Sequence, residues 1–142
     1  MAEAKLPSPA TVRDIMVKNP ATLERNETLD IAEDIMNLGR IRHMPVIDEG
    51  MVVGIVSQRD LFRSALLTAL GFAKRTERAL KKNIRVKEIM TEQVVTISPD
   101  ATVKEAARVM MDKKIGCLPV LEGEIFVGLI TETDVLRYVA EQ

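Results

Sequence analysis

The chain is poor in aromatic residues, cysteine and histidine, and each scarcity narrows the possibilities. Aromatic residues make up 3% of the 142 positions and tryptophan is missing, so we predict an aliphatic core of Val, Ile, Leu, Ala and Met. Cys117 is the one cysteine, which excludes an internal disulfide and fits a reducing compartment. His43 is the one histidine, and a lone histidine argues against a zinc site.

Charge and hydropathy exclude further classes of protein. Lysine and arginine number 20 against 21 aspartate and glutamate residues, which gives no electrostatic case for nucleic acid or an anionic membrane. The longest uncharged run near the middle, residues 64–73, is too short to cross a bilayer. The first ten residues contain two prolines and no apolar core, unlike a signal peptide. We therefore predict a soluble, cytoplasmic protein.

The chain contains an internal repeat. Residues 12–16, Val-Arg-Asp-Ile-Met, match residues 86–90, Val-Lys-Glu-Ile-Met, at an offset of 74 positions. The offset holds without a gap as far as Arg63 and Arg137. A unit of about fifty residues is too small to bury a comfortable core alone. We expect the two copies to pack sheet against sheet about a pseudo-twofold axis.

Periodicity and turn residues predict strand, helix, strand, strand, helix in each copy, an α+β fold that some schemes class as α/β. Gly39 is the predicted end of the first long helix, residues 48–50 form a predicted turn, and Thr102 with Glu105 has the form of a capping box. The predicted helices span about residues 29–38, 59–70, 102–113 and 133–139, and the predicted strands span 21–23, 44–47, 51–56, 94–97, 118–121 and 125–130.

This organisation divides the chain into four segments. We assign residues 1–10 to a loose arm, 11–70 to the first repeat, 71–85 to a connector and 86–142 to the second repeat. The basic run at residues 74–82 is explained by a solvated helix face, with an anion- or partner-binding surface as the alternative.

The most informative motif is Gly-x-x-hydroxyl-x-x-Asp, which occurs once in each repeat. It runs from Gly54 through Ser57 to Asp60, and from Gly128 through Thr131 to Asp134. An apolar run followed by this pattern predicts a buried strand passing into a helix, with the hydroxyl and carboxylate on one face of its first turn. Such a turn can hold sugar hydroxyls on the aspartate and a phosphate near its free N–H groups. Plain N-capping is the simpler explanation of one copy, but two copies in register favour a ligand.

These features together resemble a tandem pair of CBS motifs, often called a Bateman module. The resemblance rests on the two Val-x-x-Ile-Met openings, Thr22 and Thr96, the Pro-Val strand starts at 45–46 and 119–120, and the two hydroxyl–aspartate turns. It covers residues 11–139. It implies a regulatory sensor of adenosine-containing ligands (AMP, ADP, ATP or S-adenosylmethionine), with AMP or ATP favoured, and no enzyme. It also implies a homodimer forming a disc of four motifs, and an unidentified effector protein as partner.

The resemblance implies that one cleft is the better nucleotide site. Its aspartate holds the ribose hydroxyls, its serine reaches phosphate or ribose, and Arg42 and His43 contact phosphate. Apolar side chains such as Ile41 and Met44 lie against the adenine. The residues assigned to this cleft are Arg42, His43, Met44, Pro45, Ser57, Arg59, Asp60, Thr91, Val94 and Thr96.

The second cleft departs from the family pattern, because glycine and cysteine stand where the first repeat has Arg42 and His43. Lys18 is the residue that could supply a phosphate charge there. The residues assigned to the second cleft are Lys18, Asn19, Ala21, Thr22, Gly116, Cys117, Leu118, Pro119, Thr131 and Asp134.

Other interpretations remain open at this stage. A ligand-free module for dimerisation and protein–protein interaction is the main alternative, and the loss of basic residues in the second repeat favours it. Arg42 and His43 are then surface polar residues before a strand, and Cys117 is a small core residue. An enzyme lacks an acid–base pair or activated nucleophile, and nucleic-acid binding depends on residues 74–82 alone.

Overall fold

The computed structural model describes residues 9–71 and 82–142. Most of the predicted arm and of the basic run at 74–82 therefore lies outside the described residues.

Each half contains a four-residue opening helix, a long helix, a β-hairpin and a closing helix. The first half comprises α1 (Val12–Ile15), α2 (Leu29–Gly39), β1 (His43–Asp48), β2 (Met51–Ser57) and α3 (Gln58–Gly71), and the second comprises α4 (Val86–Ile89), α5 (Val103–Lys113), β3 (Cys117–Glu122), β4 (Ile125–Thr131) and α6 (Glu132–Ala140). The α+β class and the two repeats are confirmed.

The long helices α2 and α5 begin after threonine caps and end in the same way. Thr102 accepts a hydrogen bond from the Glu105 N–H at 3.0 Å, which is the threonine half of the predicted capping box. The predicted stop at Gly39 is shifted by one residue. Gly39 is the last helical residue, and Arg40 takes the left-handed conformation at φ 52°, as Lys114 does at φ 56° after α5. The next amide then bonds back to the helix carbonyls, which satisfies the helix end.

The two hairpins have the same register. Strands β1 and β2 pair antiparallel from His43 opposite Ser57 to Asp48 opposite Met51. Asp48, predicted in the turn, is the last strand residue, so the turn is reduced to Glu49 and Gly50. Both take positive φ, as a two-residue type I′ turn requires. Strands β3 and β4 repeat this pairing and its irregularity after the fourth residue.

The strands predicted at residues 21–23 and 94–97 are each reduced to a single bridge residue. Leu23 forms one parallel bridge to Val46, and Ile97 forms the equivalent bridge to Val120, so each sheet has two strands. The chain turns immediately after each bridge. The amide of Glu27 donates to the Glu24 carbonyl at 3.1 Å, and the second repeat has an equivalent bond between residues 101 and 98. A turn at that point leaves no residues with which to extend the strand.

The opening helix of each repeat packs into the other half. Val12 lies with Leu118, Val120 and Ile130 in the second half's core, whereas Val86 lies in the first half's core. The Val12 amide donates to the Ala101 carbonyl at 2.8 Å, and the Val86 amide donates to the Glu27 carbonyl at 2.7 Å. Strands β2 and β4 also contact each other. The halves are therefore interlocked, and each aliphatic core contains residues from both repeats.

Candidate functional site

The hydroxyl–aspartate turn of the first repeat joins β2 to α3. The Ser57 amide donates to Asp60 Oδ2 at 2.8 Å, and the Asp60 amide donates to Ser57 Oγ at 3.1 Å. This reciprocal pair is a capping box, so the N-capping interpretation of the motif is correct for its backbone role. Asp60 is half-buried. Its Oδ1 atom forms no hydrogen bond or ion pair with any residue in the described part of the chain.

The equivalent turn of the second repeat is more completely satisfied. Thr131 donates to Asp134 Oδ2 through its amide at 2.8 Å and its hydroxyl at 2.9 Å. Asp134 Oδ1 lies 3.7 Å from a guanidinium nitrogen of Arg137. Asp134 is only 7% exposed. Both carboxylate oxygens of Asp134 are thus engaged by the protein, whereas one oxygen of Asp60 remains open.

The first turn of α3 offers fewer free N–H groups than the sequence suggests. The Gln58 amide donates to the Arg42 carbonyl at 2.7 Å, and the Asp60 amide is used by the capping box. The Arg59 amide has no partner among the described residues. The same arrangement recurs at α6, where the Glu132 amide donates to the Gly116 carbonyl at 3.0 Å. Each helix start therefore presents one amide, beside the positive end of its dipole.

Each motif is flanked by the opening segment of the other repeat. Thr91 and Ile55 exchange backbone hydrogen bonds of 2.9 and 3.0 Å, which brings Thr91 beside the strand that leads to Ser57. Val17 and Leu129 exchange the equivalent bonds of 2.8 and 3.0 Å on the second side, directly before Lys18. The structure therefore places Thr91 beside β2 of the first motif.

The remaining residues assigned from the opposite repeat lie at or near the surface. On the first side Val94 is half-buried and Thr96 is exposed. On the second side the exposed residues are Lys18, Asn19, Ala21 and Thr22, with Asn19 at φ 55°.

The residues at the start of β1 and β3 divide between two faces, because side chains alternate along a strand. Met44 and Leu118 are 0% exposed and belong to the two cores. The expected contact of the Met44 side chain with an adenine is therefore wrong. His43 and Pro45 alternate with Met44 along β1, and Cys117 and Pro119 alternate with Leu118 along β3. His43 is half-buried, whereas Pro45, Cys117 and Pro119 are buried.

His43 extends from the first repeat to the second. A Cβ atom placed on Gly116 would lie 2.8 Å from His43 Nε2 and 3.5 Å from Glu132 Oε1. Burial lowers the pKa of His43, Glu132 and Asp60 oppose that shift, and Arg42 and Arg59 add to it. The ring is therefore a neutral group at neutral pH, which changes the expected phosphate contact from an ion pair to a hydrogen bond. Arg42 is exposed.

Cys117 occupies the equivalent strand position in the second repeat. It is buried, and burial together with the charges of Asp60 and Glu132 raises the pKa of its thiol to about 12. A thiol with such a pKa is protonated and inert, which supports the interpretation of Cys117 as a core residue. Among residues 9–71 and 82–142, no three His, Cys, Asp or Glu side chains group as metal ligands.

Sequence reasoning missed two features of this region. Glu132 was assigned to neither cleft, although it faces His43; the signal for it was its place directly after Thr131 in the motif. The motif glycines were treated as markers, although Gly54 and Gly128 each pack against a methionine of the opposite repeat's opening segment. The two Ile-Met pairs were the available signal for that contact.

The fold agrees with comparisons to known proteins. The profile of the CBS domain matches residues 12–66 and again 86–141. The chain belongs to the CBS domain family and carries two copies of the domain. A pair of CBS domains is a regulatory module and not a catalytic one. No helix in the described ranges is long and apolar enough to cross a membrane.

Three similar proteins illustrate the relationship. The chain is 35% identical to the Vibrio cholerae protein described as acetoin utilization protein AcuB, with a TM-score of 0.78 over 94% of this chain and 92% of that one. It is 30% identical to the CBS domain pair of protein MJ0100, which was solved in complex with 5′-methylthioadenosine and S-adenosyl-L-methionine. That comparison has a TM-score of 0.75 and covers 94% of this chain and 98% of the other. A CBS domain-containing protein of Dictyostelium discoideum is 33% identical over 130 residues, 88% of each chain.

Several relatives are much longer than this chain. It spans between 24% and 45% of the length of the first four curated relatives that it matches. In those proteins the matched region is therefore one part of a larger molecule.

Proposed function

We propose that this chain is a regulatory module that binds an adenosine-containing ligand in the first cleft, formed around Ser57 and Asp60. The observation that carries the proposal is that Asp60 Oδ1 and the amide of Arg59, both in the first turn of α3, have no partner among the described residues. A half-buried carboxylate oxygen is an acceptor for ribose hydroxyls, and a helix-start amide is a donor for a ligand oxygen. The similarity to a CBS pair solved with two adenosine compounds supports the same ligand class.

The second cleft is the weaker site in this proposal. Asp134 Oδ2 already accepts from Thr131, and Oδ1 lies 3.7 Å from Arg137, so a ribose there competes with contacts within the protein. Lys18 is the residue that offers a cation to a ligand on this side. We therefore expect one high-affinity ligand per chain, at the first cleft.

Regulation requires that the ligand favour one arrangement of the molecule over another. The opening segments connect the first cleft to the second half. Thr91 belongs to the second repeat, whose core lies in the second half, but it bonds to β2, the strand that ends at Ser57. A ligand that contacts both segments stabilises one relative placement of the halves. The proposed output is a change in contact with an effector protein, and AMP or ATP as the signal would make the module an energy sensor.

A thermal-shift panel tests the ligand class. The compounds are AMP, ADP, ATP, S-adenosylmethionine, 5′-methylthioadenosine, NAD and GTP. A true ligand at roughly 100-fold its Kd raises the melting temperature by about 5–10 °C. Asp60→Asn abolishes that rise, because asparagine keeps an oxygen for the Ser57 amide but presents an NH2 group to the ribose. Asp134→Asn is the matched control and keeps the rise. A panel without any shift, or a shift unaffected by Asp60→Asn, contradicts the proposal.

A second function, homodimerisation, is favoured by one observation. Phe62 on α3 and Leu136 on α6 occupy equivalent repeat positions and are 69% and 67% exposed. Leu66 and Val139 on the same helices are also half or more exposed. Paired apolar side chains related by the internal symmetry suit a second copy of this chain, in which both helices are covered together. This is the four-motif disc implied by the sequence resemblance.

Sedimentation velocity distinguishes the two functions. Phe62→Asp with Leu136→Asp is expected to convert a dimer to a monomer, whereas the exposed control Met111→Asp on α5 leaves the dimer intact. If the wild-type chain is monomeric at micromolar concentration, this second function is wrong. A dimer that forms and shows no ligand-induced thermal shift identifies the chain as an interaction module.

A further inference from the structure

Gly116 leaves a space that the imidazole of His43 occupies. A Cβ atom on residue 116 would stand 2.8 Å from Nε2 and 3.0 Å from Cε1 of His43, closer than side chains approach in folded proteins. The obstruction is the far end of one side chain. A larger residue at 116 can therefore be accommodated by turning His43 away, with little cost to the fold.

This contact has no counterpart in the other direction. The residue equivalent to Gly116 in the first repeat is the exposed Arg42, and the residue equivalent to His43 is the buried Cys117. The two repeats are otherwise related position by position through their cores. The second repeat has glycine at position 116, where the first repeat has Arg42. Because that glycine has no side chain, the imidazole of His43 can extend from the first half into the second.

The ring N–H of His43 is available to donate a hydrogen bond to a ligand. Neither ring nitrogen bonds to a residue in the part of the chain that the structure describes. The charged groups around the ring are Glu132 on α6, Asp60 and Arg59 on α3, and Arg42 beside it. Its neutral ring has an N–H that can serve a phosphate oxygen without first breaking a protein contact.

We infer that Gly116 of the second repeat is a positioning residue for the first cleft, because it holds His43 where that side chain favours adenosine ligands that carry a phosphate. The inference rests on the proposed function and adds to it a residue of the opposite repeat that sets ligand preference. Gly116 itself contacts no ligand in this account. It acts through His43 and lies beside Glu132, which sets the charge next to the ring.

The test compares AMP with 5′-methylthioadenosine, which carries the same nucleoside without a phosphate. Calorimetric titration of Gly116→Ala is expected to show AMP binding weakened about tenfold, the effect of losing one hydrogen bond to a charged group, while 5′-methylthioadenosine binding changes less than about twofold. His43→Ala is expected to give the same split. Gly39→Ala is the matched control, since a Cβ there meets its nearest neighbour at an ordinary 3.6 Å.

A double-mutant cycle separates positioning from a general structural effect. If Gly116 acts through His43, the variant with both Gly116→Ala and His43→Ala binds AMP no more weakly than either single variant. Additive losses, equal losses for both ligands, or an unchanged AMP affinity in Gly116→Ala overturn the inference. A wild-type protein that binds AMP no more tightly than 5′-methylthioadenosine overturns it too, and leaves the proposed function standing. Failure of both compounds to bind overturns the inference, and the other compounds of the thermal-shift panel then decide the proposed function.

Nuclear magnetic resonance supplies a readout that does not depend on the folding of any variant. His43 is the one histidine of the chain, so its ring protons give a single assignable signal. AMP is expected to shift that signal in the wild-type protein, and 5′-methylthioadenosine to leave it nearly in place. A ring signal that AMP leaves unmoved contradicts the inference.

Discussion

The sulfur of Met90 lies 2.5 Å from the point that a Cβ atom on Gly54 would occupy. Met16 has the same relationship to Gly128, at 2.8 Å. The methionine that closes each repeat's opening helix therefore packs on the bare backbone of the other repeat's motif glycine. This pair of contacts places the opening segments against β2 and β4, next to the hydroxyl–aspartate turns.

We predict that alanine at either motif glycine destabilises the protein, and that Gly128→Ala does so more strongly. At Gly54 the obstructing atoms belong to the Met90 side chain, whereas at Gly128 the backbone oxygen of Val17 is also 2.8 Å away and cannot turn aside. Overpacking of this kind costs about 1–3 kcal/mol in the free energy of unfolding. Urea denaturation measures it, with Gly39→Ala as control. Equal stability of Gly128→Ala and wild type would show that the opening segment is not held in this way.

Glu27 provides a prediction about stability and pH. Its Oε2 atom is buried without a hydrogen-bond partner among the described residues, and burial, together with the charge of Glu24, raises its pKa. A carboxyl whose pKa is higher in the folded state favours folding when protonated, and that contribution is lost as the pH rises through the raised pKa.

We therefore expect Glu27→Gln to raise the melting temperature at pH 7. The gain should shrink as the pH falls through the raised pKa of Glu27, because the wild-type glutamate then becomes protonated itself. Glu124→Gln, at an exposed turn position, serves as the control and should leave the melting temperature unchanged both at pH 7 and at the lower pH. A Glu27→Gln variant that is less stable at pH 7 would indicate that the charge has a favourable partner.

The titration of His43 tests the environment on which the ligand preference depends. Burial lowers the pKa of this imidazole, so we expect its midpoint, followed by nuclear magnetic resonance, to lie below the ordinary value of about 6.5. Glu132 opposes that shift, so Glu132→Gln should lower the midpoint further. Folding favours the neutral ring, so its contribution to stability is lost as the pH falls through the lowered pKa. A midpoint above 6.5 would contradict the placement of His43.

Much of the fold could be predicted from the sequence because the repeat supplies each signal twice. The helices, the hairpins and the aliphatic core depend on local periodicity, and their ends shifted by only a residue or two. The strands at Leu23 and Ile97 were overestimated because apolar composition does not reveal that the chain turns straight after one bridge. The exchange of Val12 and Val86 between the cores was not predictable, because it depends on contacts between residues that are far apart in the sequence.

The candidate site could be proposed from the sequence, but the different contacts of the two aspartates could not. The motif identified Ser57 and Asp60, and the basic pair led us to favour that cleft. The structure offers a different reason, which is that both oxygens of Asp134 contact other protein groups, whereas Asp60 Oδ1 does not. Side-chain partners of this kind depend on rotamers and on the neighbouring Arg137, and no sequence pattern distinguishes Arg63 from Arg137.

The most direct test of this account is calorimetric titration of AMP into the wild-type protein, Asp60→Asn and Asp134→Asn. We predict one site per chain in the wild type, a loss of about tenfold or more in affinity for Asp60→Asn, and near-wild-type binding for Asp134→Asn. No binding to the wild type, or a loss confined to Asp134→Asn, would contradict the claim that Asp60 holds an adenosine ligand in the first cleft.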